Sequence, residues 1–226
     1  MKRDDFANSP SGSLVPTERG QWAFVPNELP PQQLDLATLA VPLAKAAQLV
    51  GELNGIGRTL VDPLLLIRPL QAREALTSSS MEGTYSTLDE LALVEAGAPE
   101  NESVSDAREV WNYRRALTAA LASLPEMPLT LRTLKQAHKT LLGGVRRHRG
   151  STALPGEFKQ HQNFIGGREI EAARFVPPPP KEALEALGQL EKFIHRDDRA
   201  ESHDLIEAAL IHYQFETIHP FADGNG

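Results

Sequence analysis

Between residues 204 and 218 the chain offers a helix almost no polar side: Leu205, Ile206, Ala208, Ala209, Leu210, Ile211, Tyr213 and Phe215 fall on nearly every face. A surface helix carries one apolar stripe, whereas a helix that is apolar all round needs neighbours all round. The segment is therefore expected to be the central, buried helix about which the rest of the chain is arranged. The 226 residues leave room for such a core, in one domain or in one with a small second one. A hydrophobic share of 41% and a charged share of 23% fit a soluble globular chain, and no run is expected to cross a bilayer. The most apolar long stretch, residues 34–50, is broken by Asp35, Pro42 and Lys45, so it is expected to be an amphipathic helix that contributes to the core.

The remaining pattern is also mainly helical. Helical periodicity covers residues 34–53, and a second helix, from Asp62, is restarted or kinked by Pro69. Thr87-Leu88-Asp89-Glu90 has capping-box spacing, and Gly97 is placed to end the short helix it opens. Residues 106–124 set Val110, Tyr113, Leu117, Leu121 and Leu124 on one stripe, the expected core face. Thr130 can cap a helix bearing Leu131, Leu134, His138 and Leu141, with His138 expected to be a packed histidine and Gly143-Gly144 ending the helix. The helical period then vanishes, and the short apolar pieces around Gly166-Gly167 suit a β-hairpin or structured loop over residues 158–176. Pro177-Pro178-Pro179-Pro180 is a stiff spacer that can open the following helix; an SH3-type ligand is the alternative use of the same residues. The first 33 residues, rich in Ser, Pro, Asn and Gly, are expected to be extended or loosely ordered, with Trp22 and Phe24 as anchors.

Charge and composition narrow the chemistry. A formal charge of −7 argues against a broad nucleic-acid footprint, and the local patch Arg146-Arg147-His148-Arg149 reads as a solvated loop. Zero cysteines excludes disulfides, iron–sulfur ligation and thiolate zinc sites, so histidine and carboxylate must carry any chemistry. The basic pair Lys2-Arg3 is followed by no apolar core of a secretion signal, which makes cytoplasmic residence the expectation.

The apolar helix runs directly into Thr217-Ile218-His219-Pro220-Phe221-Ala222-Asp223-Gly224-Asn225-Gly226. Pro220 disfavours the α conformation at His219, so the helix should end there and present an imidazole, the natural proton acceptor for a hydroxyl nucleophile near neutral pH. Phe221 is expected to turn inward and anchor the loop. Asp223 is a hard oxygen ligand, and one carboxylate with phosphate oxygens and waters is a normal way to hold Mg²⁺. Gly224-Asn225-Gly226 permits positive φ at successive positions, which lets backbone N–H groups converge on an anion. Taken singly, Asp-Gly-Asn-Gly is an ordinary turn and a histidine an ordinary polar group. A base, a metal ligand and an anion nest within eight residues are a different matter. A zinc hydrolase built on His212, Glu216 and His219 is disfavoured, because the spacing is not His-Glu-x-x-His.

At these residues the chain resembles the Fic family, whose signature is His-x-Phe-x-(Asp/Glu)-Gly-Asn-Gly-(Arg/Lys)-x-x-Arg, and the match is complete through Gly226. Gln162-Asn163-Phe164-Ile165-Gly166-Gly167 resembles the family's flap, and Ser78-Ser79-Ser80-Met81-Glu82-Gly83 fits its inhibitory pattern, (Ser/Thr)-x-x-x-Glu-(Gly/Asn). The resemblance implies a Fic-type helical bundle with a short β-hairpin flap. It is preceded by a flexible extension (1–33) and a helical region with the inhibitory motif (34–100), and the core (101–226) lacks its C-terminal part. It further implies transfer of AMP from ATP to a Ser, Thr or Tyr hydroxyl of a target protein, which can be the chain itself, and a homodimer as a further association. His219 would be the base, Asp223 the Mg²⁺ ligand, and Gly224, Asn225, Gly226, Ile165 and Gly166 nucleotide contacts, with Ser78 and Glu82 the inhibitory pair. Both arginines of the signature fall beyond Gly226, so the stretch by itself is expected to turn over little. The alternatives are a non-catalytic nucleotide-binding or regulatory module, and a Fic enzyme that transfers another phosphate-containing group or removes AMP.

Overall fold

The computed structural model describes residues 1–81, 83–97, 105–145, 154–198 and 202–225. Glu82, Gly226 and the basic patch at 146–149 lie outside the described residues. Among those described, helices dominate and one two-stranded antiparallel sheet accompanies them, in keeping with the expected class. Compactness groups the chain into two units, Met1–Pro63 with Gln160–Pro220 and Leu64–Lys159 with the residues from Phe221 on.

The first unit contains the sheet, in a place the composition concealed. Strands β1 (Gly12–Pro16) and β2 (Trp22–Pro26) pair with Leu14 opposite Phe24, within the first 33 residues expected to be extended or loosely ordered. What orders them is aromatic burial: Phe24 lies 5.5 Å from Phe6 and 6.1 Å from Phe175, ring centre to ring centre. The Phe24 N–H donates to the Val176 carbonyl at 2.9 Å, and Ala23 packs with Ala173 and Val176. Trp22 and Phe24 thus anchor this segment from within a hairpin.

Helix α1 (Leu36–Thr59) opens with Asp35, whose carboxylate accepts the Thr38 N–H, and it runs on through Pro42. It does not enter the core as expected: it buries no residue, and Val41 and Leu53 are 78% and 70% exposed. Because it continues past residue 53 to Thr59, it is also long and apolar enough to cross a membrane by length and composition, which corrects the expectation that no run qualifies. Helices α2 (Leu64–Met81), α3 (Leu88–Glu95), α4 (Ser105–Ser123) and α5 (Leu131–Leu141) follow, all in the second unit.

Back in the first unit, Pro180 opens α6 (Pro180–Ile194), while Pro177 and Pro178 are fully buried, which removes the exposed SH3-type ligand. Helix α7 (Asp204–Ile218) packs against α6 and β2. It is not the all-round buried helix expected: Glu207, Gln214, Thr217 and Ile218 are its buried residues, while Ala208 and Ala209 are exposed and Tyr213 is 47% exposed. The side it buries is the polar one because each polar group there has a partner. Arg196 forks Glu207 at 2.8 and 2.5 Å, the Gln214 amide donates to the Asn27 carbonyl at 2.9 Å, and the Thr217 hydroxyl donates to the Tyr213 carbonyl.

In the second unit the caps fall where the spacing places them. Thr87 and Glu90 form a reciprocal capping box for α3, Gly97 follows at φ +80°, and Thr130 caps α5 with Thr133 as its reciprocal partner. The core joins Ala72 and Ala75 of α2, Leu91 of α3 and Val110 of α4, with Trp111 packed beside Val94 and Ala107. The expected α4 stripe is only partly right: Val110 is buried, but Leu117, Leu121 and Leu124 are 38%, 53% and 40% exposed. The buried face turns instead through Ala107, Val110 and Ala116, small side chains that let neighbouring helices approach closely. Beside them the buried Asn112 amide donates to the Leu141 and Gly143 carbonyls, satisfying the C-terminal end of α5.

Candidate active site

The first unit holds His219 and the segment that resembles the flap. His219 caps α7 in the left-handed region, φ 47° and ψ 62°, the one non-glycine residue with positive φ among the described residues. Pro220 excludes the α conformation there, and the left-handed turn lets the His219 N–H still reach the Phe215 carbonyl at 2.9 Å. A non-glycine residue in that region costs about 1–2 kcal/mol. A hydrogen bond to the His219 carbonyl from the Asn163 side-chain amide, at 3.0 Å, helps to offset this cost and ties the end of α7 to the flap.

The flap itself takes the structured-loop form, with one antiparallel bridge between Ile165 and Phe175 in place of a hairpin. Pairing stops because Gly166 and Gly167, at φ +68° and +135°, turn the chain out of the strand, and a helical turn at Ile170–Ala172 uses the residues that would extend it. The Gln162 amide donates to the Pro177 carbonyl at 2.8 Å and so joins the two limbs at their base. Ile165 is committed through its backbone to Phe175, and Gly166 lies at the turn itself.

The second unit holds the loop that follows His219 and Pro220 in sequence. Phe221 is 3% exposed and stacks on His138, with ring centres 3.8 Å apart and planes within 8°, and Phe158 lies 5.2 Å away. It is thus the inward anchor that was expected. Asn225 is buried and closes the loop with both ends of its amide: its oxygen accepts the Phe221 N–H at 2.7 Å, and its nitrogen donates to the Phe221 carbonyl at 3.0 Å. Between them, the Asp223 carboxylate accepts the Gly224 N–H at 3.0 Å and remains partly exposed. Gly224 sits at φ +69°, a conformation that favours glycine, and an added Cβ would lie a tight 3.2 Å from the Leu141 side chain.

His138, read from the sequence only as a packed histidine, proves to be the support of this loop. It is buried; its Nδ1 accepts the Gly156 N–H at 2.9 Å, and Nε2 meets the Asp223 carbonyl at 2.9 Å. Because Gly156 offers a donor, Nδ1 must be the acceptor and the proton sits on Nε2. Burial pushes the His138 pKa down, against the opposing pull of the Asp223 carbonyl. Lys159 is a second residue that no sequence signal marked: it is 5% exposed, and burial pushes its ammonium down to about 7.

Of the pair Ser78 and Glu82, Ser78 is described. Its hydroxyl donates to Glu74 at 2.7 Å, and the same Glu74 oxygen accepts the Tyr113 hydroxyl at 3.0 Å. Burial and the Glu74 carboxylate push the Tyr113 phenol up to about 12. Gly83, at φ +83°, follows the end of α2. Among the described residues no group of three or more His, Cys, Asp or Glu is gathered for a metal, and His212, Glu216 and His219 form no ligand set. Asp223 offers one partly exposed carboxylate, and by its chemistry a single carboxylate with phosphate oxygens and water is a sufficient ligand set for a hard cation.

Comparison with known proteins agrees with this geometry. The Fic/DOC family N-terminal region matches residues 41–122, and the Fic/DOC family core matches residues 128–226. The chain is 30% identical over 130 residues to a protein adenylyltransferase Fic of Drosophila ananassae, covering 57% of this chain and 24% of that one. It is 30% identical over 152 residues to the protein of the same name in Drosophila virilis, covering 66% and 29%. It thus spans roughly a quarter of the length of these curated relatives. A crystal structure of a Fic family protein from Desulfovibrio desulfuricans G20 superposes with a TM-score of 0.64 at 21% identity, over 87% of this chain and 55% of that one, and shares its fold. The chain belongs to the Fic/DOC family.

Proposed function

We propose that this chain forms the catalytic part of a protein adenylyltransferase, which moves AMP from ATP to the hydroxyl of a Ser, Thr or Tyr side chain on a target protein. The observation that carries the reading is the sequence of fixed groups on either side of Pro220. An imidazole-bearing residue is held in a left-handed helix cap, and it is followed by a loop whose backbone is pinned around a partly exposed carboxylate. The activity named for the Drosophila relatives supports it.

In this reading His219 accepts the hydroxyl proton as the oxygen attacks the α-phosphorus; the bond to the bridging oxygen of pyrophosphate breaks, and pyrophosphate leaves. Asp223 would hold Mg²⁺ against the phosphates, and the ion, when bound, would neutralise charge on them. The N–H groups of Asn225 and Gly226 would face the anion, joined by that of Gly224 once it leaves the Asp223 carboxylate; for Asn225 the backbone must serve, since its side chain is spent on Phe221. Ile165 and Gly166 would cover the nucleotide, and an extended target segment would add to the flap edge. Glu82 and Ser78 would act as a brake, with Glu82 occupying the second signature arginine and displacing the nucleotide from its productive pose. The reaction needs neither membrane nor nucleic acid, and we place it in the cytoplasm, with a homodimer as the assembly to look for.

Intact-mass analysis of the full-length protein with Mg²⁺ and each nucleotide tests the reading. The expected result is an AMP adduct, on the protein or on an added target, that is lost in His219→Ala. A UMP or phosphate adduct instead, or an AMP adduct that survives His219→Ala, overturns it.

A further inference from the structure

We infer that His138 is a positioning residue for Asp223, holding the backbone of the signature loop so that the carboxylate is presented in one orientation. The inference rests on the reading of Asp223 as the residue that holds a phosphate-bound cation. Several ties of the loop are internal to it: Asn225 clasps Phe221, and Asp223 accepts from Gly224. Such bonds shape a loop without attaching it to anything. His138 attaches it to α5 twice, through the Asp223 carbonyl at 2.9 Å and through the face of Phe221 at 3.8 Å. The carbonyl is the more telling contact, because fixing it fixes the peptide plane between Asp223 and Gly224. With Gly224 at φ +69°, the backbone from which Asp223 projects its side chain is thereby tied to α5.

The contact needs a donor on the ring edge facing the loop, and the protein supplies it from the other edge. The Gly156 N–H occupies Nδ1 at 2.9 Å, so the neutral ring must carry its proton on Nε2, toward Asp223. A buried ring that accepts on one side, donates on the other and offers a flat face between them is a narrow specification. Phe would keep the face and lose both hydrogen bonds. Gln would lose the face but keep both bonds, since its amide oxygen and nitrogen flank one carbon as the two ring nitrogens do.

Those two substitutions separate positioning from packing. In the full-length protein, Mn²⁺ binding in the presence of α,β-methylene ATP is followed by electron paramagnetic resonance, and the Mg²⁺ dependence of AMP transfer is measured alongside thermal stability. His138→Gln is expected to bind Mn²⁺ within about threefold of wild type, whereas His138→Phe binds about tenfold more weakly, the loss of roughly one hydrogen bond's worth of loop fixation. In His138→Phe, kcat at saturating Mg²⁺ recovers, because the reacting groups are all present. Unchanged Mn²⁺ affinity in His138→Phe overturns the inference even if the protein transfers AMP. So does a pattern in which both variants lose stability and activity together with no shift in metal affinity, since that is what packing alone predicts. If wild type binds the metal–nucleotide pair and the variants divide as expected but no AMP is transferred, the positioning role stands and the transferase reading falls.

Discussion

The tightest test of the loop geometry is Asn225→Ala. The Asn225 amide makes two short bonds to one residue, at 2.7 and 3.0 Å, and both it and Phe221 are buried. Losing a buried hydrogen bond costs about 1 kcal/mol, rising to about 1–3 kcal/mol where the group left behind cannot reach water. The pair together should therefore weaken the closed loop by about 2–4 kcal/mol, which lowers the ratio of closed to open forms by about 30-fold at the small end. Hydrogen exchange reads this directly. The Phe221 amide should exchange faster by that factor, while amides in the middle of α6, in the other compact unit, keep their wild-type rates. AMP transfer should fall at least as far, since the loop carries Asp223. Asn225→Asp should not rescue, because its second oxygen would face the Phe221 carbonyl where a donor is needed. Phe221 exchange unchanged within about threefold in Asn225→Ala would refute the clasp, whatever happened to activity.

Three further outcomes are expected. In the flap, Gly167→Ala should cost more than about 2 kcal/mol, because its Cβ would come within 2.9 Å of the Ala172 backbone at φ +135°. Gly166→Ala should cost about 1 kcal/mol, because its clash is with the exposed Arg174 side chain, which can swing away; equal losses in thermal denaturation would contradict the contrast. For Lys159, the folded ammonium titrates at about 7 against 10.5 when exposed, so between these values the unfolded chain holds more protons and stability rises with pH. Urea denaturation should show a gain of about 2 kcal/mol from pH 7 to pH 9 that vanishes in Lys159→Met, the variant being the more stable at pH 7; the same slope in both proteins counts against the burial argument. Finally, Glu82→Gly in the full-length protein should raise AMP transfer, and an unchanged rate would remove the brake.

What the sequence disclosed about this chain was chiefly local chemistry. Thr87 with Glu90, Thr130 before α5, and the glycines at 97, 144 and 224 each answer to a backbone rule that involves only near neighbours. His219 is legible for the same reason, since Pro220 alone dictates that α7 ends there. Burial was less legible, because it depends on partners distant in the chain. Counting apolar side chains on α7 cannot show that Glu207, Gln214 and Thr217 are its inward residues, as that follows from Arg196, Asn27 and the Tyr213 carbonyl. The exposed length of α1 and the outward leucines of α4 are errors of the same kind. The role of His138 was hidden for a related reason: its partners at 156, 221 and 223 lie in other parts of the chain.

The placement of the N-terminal hairpin bears on how this protein is handled in the laboratory. Composition invites an expression boundary at residue 34, where low-complexity sequence gives way to helix. Cutting there would discard Phe24 and Phe6 from around Phe175, take from the Val176 carbonyl the N–H it accepts, and uncover Ala173. Each of these lies on the C-terminal limb of the flap, and Gln21 also reaches Glu171 at its tip. A shortened protein could keep every residue of the signature and still show a slack flap, so a loss of activity on trimming would report on residues 1–33 and not on His219.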